Sequence, residues 1–396
     1  MSDRYDMIVV GAGISGLVMA HYCRKAGLKV LVLEKEERSG GCFHSARIAD
    51  ADHPFWLEMG THTCFNSYGR LLDVLQDIGL MQSLQGREKM PYRLLVDGGL
   101  HSIPSQLHFF ELATHAWRLF SLKKEGKSVA EYYQSLVGAK NYTEVFQHAF
   151  NAVLCQQAGN VPSDMLFRKR PRNKGVQRSF SMPSGLQQII TELESLVECK
   201  KGQQIQSINQ HGHEFTVNTT EKSYQSRMLA CATPARAASA LLAESFPAIN
   251  EQLGQIGEVD IETVAVVVNK DDLPLEKVAG IIAADGDFYS AVSRDVIDHP
   301  DYRGLAFHFK PGLLSDEEKK QKICQLLEIT SSKLQHVFYK TNRLPAPDMG
   351  HQQRITCIDN LLVDKPLALI GNYFEGVAVE DCLARVESEF LRLTAG

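Results

Sequence analysis

The stretch Asp6 to Cys42, DMIVVGAGISGLVMAHYCRKAGLKVLVLEKEERSGGC, constrains the fold more than any other part of the chain. Met7 to Val10 is a short apolar run rich in β-branched residues. Gly11, Gly13 and Gly16 follow it as G-x-G-x-x-G, ahead of a helical pattern. The order is strand, tight turn, helix. Gly11 lets the chain turn, Gly13 lets backbone approach a pyrophosphate, and Gly16 lets the helix pack close to the strand. The helix start, at Ile14 and Ser15, then faces the phosphate charge. Val30 to Leu33 reads as a second strand, and Glu34 stands at its end, 34 − 11 = 23 positions after the first glycine. An acid there accepts hydrogen bonds from both ribose hydroxyls and repels a 2′-phosphate. Lys35 directly after it joins the candidate contacts. The motif alone leaves the choice between NAD and FAD open.

The residues after Glu34 narrow that choice. Arg38-Ser39-Gly40-Gly41 continues from the acid, and Gly60 follows in LEMGTH. Here the chain resembles the flavoprotein superfamily of amine oxidases, protoporphyrinogen oxidases and phytoene desaturases, whose first unit ends in E-x-x-x-R-x-G-G. Three later segments resemble the same family: Ser179 to Leu193, Met228 to Leu242, and Leu367 to Phe390, the last closest to the protoporphyrinogen oxidase form. The resemblance implies an α/β protein with non-covalently bound FAD. Its Rossmann-like FAD-binding domain would be discontinuous in sequence (1–80, 181–242 and 355–396). A mixed α+β substrate domain would fill 81–180, with a helical insertion at 104–161, and 243–354. The activity it implies is removal of hydride from a C–H adjacent to nitrogen to flavin N5, with oxygen or another acceptor reoxidising the flavin.

The resemblance also implies a site. Gly60, Thr61 and His62 would pass beside the flavin ring, His62 being a candidate catalytic residue or a plain turn former. Ile205 begins a segment like the family's V-x-x-I near the adenine. Gly371-Asn372 stands where the family has Gly-Asp or Gly-Glu, bonded to a ribityl hydroxyl. Gly376, Val377 and Ala378 open the last helix toward the flavin's O2 and N1 edge, and Tyr373 and Phe374 either wall the substrate or pack the domain. Two departures stand out. Cys42 replaces the arginine that usually follows Gly-Gly, leaving Arg38, the backbone amides and the helix terminus to hold the phosphates. No lysine stands at the centre of the strand Val259 to Asn269, where many amine oxidases have one; Thr263 is near that centre and Lys270 at its end.

The chain has 396 residues, ample for two or so domains, and its formal net charge of −5 gives no sign of a nucleic-acid partner. Nine scattered cysteines form no C-x-x-C pair, so neither a disulfide framework nor a zinc site is indicated, and no metal is expected. No signal peptide or membrane-spanning run is read, which predicts a cytoplasmic protein, at most peripheral to a membrane. Between Pro104 and Val161 the residues Leu107, Phe110, Ala113, Trp117 and Phe120 recur at helical spacing. A buried face is the expectation there, with membrane contact the less favoured alternative. Arg168, Lys169, Arg170, Arg172, Lys174 and Arg178 place six cations within eleven residues, either a solvated loop or an attractor for an anionic substrate or lipid. The expected partner is a small molecule, anionic or pyrrolic or an amine; the sequence sets no oligomeric state. A non-redox flavin-dependent mutase or isomerase, and a non-catalytic flavin-binding subunit, are the alternative functions.

Overall fold

The computed structural model describes residues 4–48, 53–284 and 286–395. The chain builds one seven-stranded sheet in three separate visits. β1 (Arg4–Val10) runs parallel to β2 (Val30–Leu33) on one side, with Met7 opposite Val30 and Val10 opposite Leu33. On its other side lies the strand Ser223–Cys231, also parallel, which in turn pairs with Leu367–Leu369. Glu198–Lys200 closes one edge, and the antiparallel strands Glu214–Thr219 and Ile205–His211 the other. A parallel strand covered on both faces needs apolar residues at every position, and β1 shows why its run is continuous. Met7 and Val9 enter a core with Leu17, Ile189 and Leu383 of the helices on one face. Ile8 and Val10 enter the core on the other, against Leu242, Ile249 and Ile358.

The second sheet, also seven-stranded, runs Leu334–Pro345, Glu258–Asn269, Tyr302–Phe309, Phe288–Ser293, Gly280–Ala283, Tyr92–Val96, Gly99–Ser102. All its pairings are antiparallel except that of Gly280–Ala283 with Tyr92–Val96. The hairpin Tyr92 to Ser102 turns through Asp97 and Gly98, both at positive φ, as a two-residue hairpin loop demands. The short pair Ser45–Ile48 and Phe55–Glu58 lies across this sheet, burying Phe55, Leu57 and Met59 against Ala265, Val267 and Ala306. That contact brings the loop after Glu58 between the two sheets.

The helical insertion departs from expectation. Its apolar stripe is divided between a short helix, Phe109–His115, and a 3-10 turn, Ala116–Phe120. The stripe faces outward: Phe110 is 85%, Trp117 63% and Phe120 92% exposed. The polar side points in. Glu111 accepts from the backbone amides of Lys140 and Asn141 and from the Asn141 amide, while buried Asn141 also bonds both backbone groups of His108. The insertion's own core is made instead by Val129, Tyr142, Phe150 and Leu154, with Leu112 packed on it. Nor is the cationic loop simply solvated. Arg168 pairs with Glu375 at 2.8 Å and Arg170 with Asp381, tying the loop to the start of the last helix, whereas Lys169, Arg172 and Lys174 stay exposed.

Candidate cofactor and active site

The glycine turn is built for close approach. A Cβ on Gly16 would lie 2.0 Å from the Gly11 carbonyl oxygen, and one on Gly11, at φ +99°, 2.9 Å from that of Ala232, so helix Ile14–Lys25 (α1) sits hard against the strand ends. Gly13 differs: nothing lies within 4 Å of where its Cβ would be. It is also the N-cap of α1, and no side chain caps that helix, so amides of its first turn are free of side-chain competition for an external acceptor. Glu34 is positioned at the end of β2 by accepting from the Ala12 amide at 2.7 Å through one oxygen and from the Glu36 amide at 3.0 Å through the other. A carboxylate has about four lone-pair sites, so two remain for ribose hydroxyls. This combination fits a dinucleotide: an open, amide-lined turn for the pyrophosphate and a fixed acid for the ribose.

The Gly-Gly loop docks on that turn. Gly40 bridges Gly13, its amide donating to the Ala12 carbonyl at 2.8 Å, and a Cβ on Gly41, at φ +56°, would lie 3.8 Å from the Gly13 Cα. Arg38 does not face the phosphate position as expected. Its guanidinium is engaged by the carbonyls of Ser39, Gly41 and Phe43 and by the Gln187 side chain, so it clamps the loop. Lys35 extends into solvent beside Glu36. The Cys42 carbonyl receives the Thr61 amide at 2.9 Å, and a Cβ on Gly60 would come within 2.3 Å of it, which requires glycine there. Burial pushes the Cys42 thiol up, so it stays protonated.

Beyond this loop a polar row crosses three neighbouring strands of the second sheet. Lys340 and His308 are the cross-strand partners of Thr263 on either side, so the three share one face. Thr263 Oγ1 is 3.2 Å from His308 Nδ1, and Asn342, two residues from Lys340 on the same face, donates to the Met59 carbonyl at 2.6 Å. Lys340 Nζ donates to the Gly41 carbonyl at 2.7 Å. Burial lowers His308 to about 4 and, joined by the Arg87 charge, His62 to about 3; both imidazoles are neutral at physiological pH. His62 Nδ1 lies 2.9 Å from Thr63 Oγ1, which Arg87 also contacts. A narrow cleft next to them is lined by Trp56, Glu58, His62, Arg87 and Arg294.

The other expected residues scatter. Asn372 is half-buried, and its side-chain amide has no hydrogen-bond partner among the described residues. Gly371 and Gly376 both hold positive φ, Val377 packs on the helical insertion, and Ala378 is the N-cap of Val379–Thr394 without a side-chain cap. Ile205 is buried in the core under the cofactor sheet, so it can offer a cofactor only its backbone. Tyr373 and Phe374 are not a substrate wall. Each is 1% exposed in that same core, and Phe374 lies under the Arg385 guanidinium at 3.9 Å. The turn after Leu367–Leu369 directs both rings beneath the sheet, where they fill the space beside Ile355 and Ile358. Lys270 pairs with Asp298 at the far end of its strand, seven residues and roughly 23 Å from Thr263. Lys340, His308 and Asn342 are not marked by the sequence, since the strand Leu334–Pro345 that carries two of them shows no clean polar–apolar alternation.

Comparison with known proteins agrees with this geometry. Residues 9–78 match the family described as an NAD(P)-binding Rossmann-like domain. A protein of Dictyostelium discoideum assigned as a flavin-containing monoamine oxidase A is 32% identical over 80 residues, which is 20% of this chain and 17% of that protein. Most of that relative's length therefore lies outside the match. Over the whole chain, the crystal structure of a protein from Exiguobacterium sp. 255-15 assigned as a protoporphyrinogen oxidase superposes with a TM-score of 0.82 at 20% identity, covering 98% of both chains. A fatty acid isomerase from P. acnes superposes with a TM-score of 0.74 at 14% identity, covering 98% of this chain and 99% of its own. Over its whole length the chain shares its fold with these solved structures, and its first unit matches a Rossmann-like dinucleotide-binding domain.

Proposed function

We propose that the protein is an FAD-dependent oxidoreductase acting on a C–H bond adjacent to nitrogen in a small molecule. The observation that carries this reading is the amide-lined opening at Gly13, flanked by Glu34 and continued through Gly40 and Gly41 to the Lys340–Thr263–His308 row. The α1 amides and Gly13 would hold the pyrophosphate, Glu34 the ribose and Asn372 the ribityl chain. When bound, FAD would accept the hydride at N5 and pass the electrons to oxygen or another acceptor. The chain's own task is then to orient and desolvate the reacting groups. Neutral His62 and His308 suit this, since each can hydrogen-bond without placing a positive charge beside the substrate. A second reading, a non-redox isomerase, draws support from the fold shared with the fatty acid isomerase.

Anaerobic absorbance titration with amines, amino acids and a porphyrinogen tests the reading. Flavin bands that bleach with one compound and return with an acceptor support it. FAD that binds but stays oxidised with every compound, while turnover appears only after prereduction, would move the assignment to the isomerase. We also propose peripheral membrane contact through the outward aromatic face of the insertion, where exposed Phe109, Phe110, Trp117, Leu119 and Phe120 lie beside Arg118 and Lys123. No helix among the described residues is long and apolar enough to cross a membrane.

A further inference from the structure

Lys340 is held in an arrangement that its own contacts do not explain. It belongs to the second sheet, yet its ammonium reaches across to the Gly-Gly loop of the first, donating to the Gly41 carbonyl. An ammonium has three N–H donors, and among the described residues Lys340 has this one neutral acceptor and no carboxylate. Partial burial leads in pushing its pKa down to about 8, with the Arg38 charge adding to it and Glu58 only partly opposing. Lys340 is half-buried at the exposed edge of the loop, with two N–H donors left for an anion that reaches it there. The carbonyl it touches belongs to the residue lying against Gly13, on whose open side the pyrophosphate would come.

The other nearby cations are committed. Arg38 is surrounded by four acceptors of the loop and of Gln187, and Lys35 lies in solvent against Glu36. Position 42 contributes a thiol that burial keeps neutral. We propose that Lys340 supplies, from the second sheet, the positive charge that holds the pyrophosphate of the bound dinucleotide, a charge that the Gly-Gly loop lacks at Cys42. This rests on the FAD reading above. It makes the cofactor a tie between the two sheets, because the phosphates would be gripped by α1 from one and by Lys340 from the other.

The test is equilibrium binding to the apoprotein, with three probes: FAD, ADP, which has the phosphates without the flavin ring, and riboflavin, which has the ring without the phosphates. Lys340→Met should weaken FAD and ADP roughly 10- to 100-fold, the loss of one charge-assisted hydrogen bond, while riboflavin changes less than about twofold. Lys340→Arg should keep FAD within a few-fold of wild type. Circular dichroism of each apoprotein shows that the variants are folded. Unchanged FAD and ADP binding in folded Lys340→Met would overturn the proposal, as would equal weakening of riboflavin and FAD, which would mean that the lysine only ties the loop to its strand. Wild-type protein that takes up no FAD would instead remove the cofactor reading itself.

Discussion

Gly13 and Gly16 are three residues apart in one motif, yet alanine should act on them in opposite ways. At Gly13 the backbone is extended (φ −73°, ψ 176°), which alanine adopts without strain, and no atom lies within 4 Å of the new methyl. Gly13→Ala should therefore leave the apoprotein as stable as wild type or stabilise it by about 0.4–1 kcal/mol through the unfolded chain. The methyl would, however, occupy the space where phosphate approaches backbone, so FAD affinity should fall by at least about 100-fold, on the order of 3 kcal/mol. At Gly16 the methyl would stand 2.0 Å from the Gly11 carbonyl oxygen and 3.1 Å from the Ala232 Cβ. Ordinary contact with that oxygen begins at about 3.4 Å, so α1 must retreat by more than an ångström from strand ends that are buried; such overpacking costs about 1–3 kcal/mol. Chemical denaturation of the two apoproteins, with FAD binding followed by fluorescence, separates the effects. Wild-type FAD affinity in Gly13→Ala would refute the assignment of the open side to the phosphates, and an apo Gly16→Ala as stable as wild type would refute the packing argument.

Two further outcomes follow from other parts of the structure. Burial pushes the Glu58 carboxyl up to about 7, against the Leu186 amide and Ser45 hydroxyl it accepts from at 2.7 and 2.8 Å. A carboxyl whose folded pKa exceeds its unfolded value favours folding when protonated, so this contribution is complete below about pH 4.5 and is lost as pH rises through 7. Glu58→Gln should flatten that fall: relative to wild type it should gain stability between pH 5 and 8, read by denaturation at several pH values, and an identical pH profile would contradict it. The double variant Phe110→Ser, Phe120→Ser should keep wild-type stability, since both rings are exposed, but lose about 10-fold or more of its partition onto anionic vesicles in co-sedimentation. Wild type that stays in the supernatant would remove the membrane proposal.

The first unit was legible because its chemistry is local. The three glycines and Glu34 lie within 24 residues, and each answers a backbone demand that the structure then makes explicit. The aromatic stripe was legible as a stripe and misread in direction. Periodicity reports that a helix has two faces and leaves open which one turns inward; here Glu111 and Asn141 decide it, Glu111 accepting from amides that would otherwise be orphaned at the start of the helical segment from Ala139. Tyr373 and Phe374 stayed undecided for a related reason, since an aromatic pair next to a glycine reads the same whether it fills a core, as here, or walls a cleft.

The polar row was out of reach because it is made by register. Thr263, His308 and Lys340 are separated by 45 and 32 residues, and their meeting depends on two antiparallel pairings that no single segment encodes. The strand carrying Lys340 lies at the sheet's edge and is half-exposed along most of its length, so its sequence, LQHVFYKTNRLP, lacks the clean alternation of a strand with one buried face. A search for a cation confined to the Gly-Gly loop ends at Cys42. Once the strands are laid side by side, a cation is present at the same loop, delivered from 299 residues further along the chain. A departure at a motif position is thus weak evidence against the motif's chemistry wherever a second sheet packs over it, because the neighbouring strand can return the missing charge.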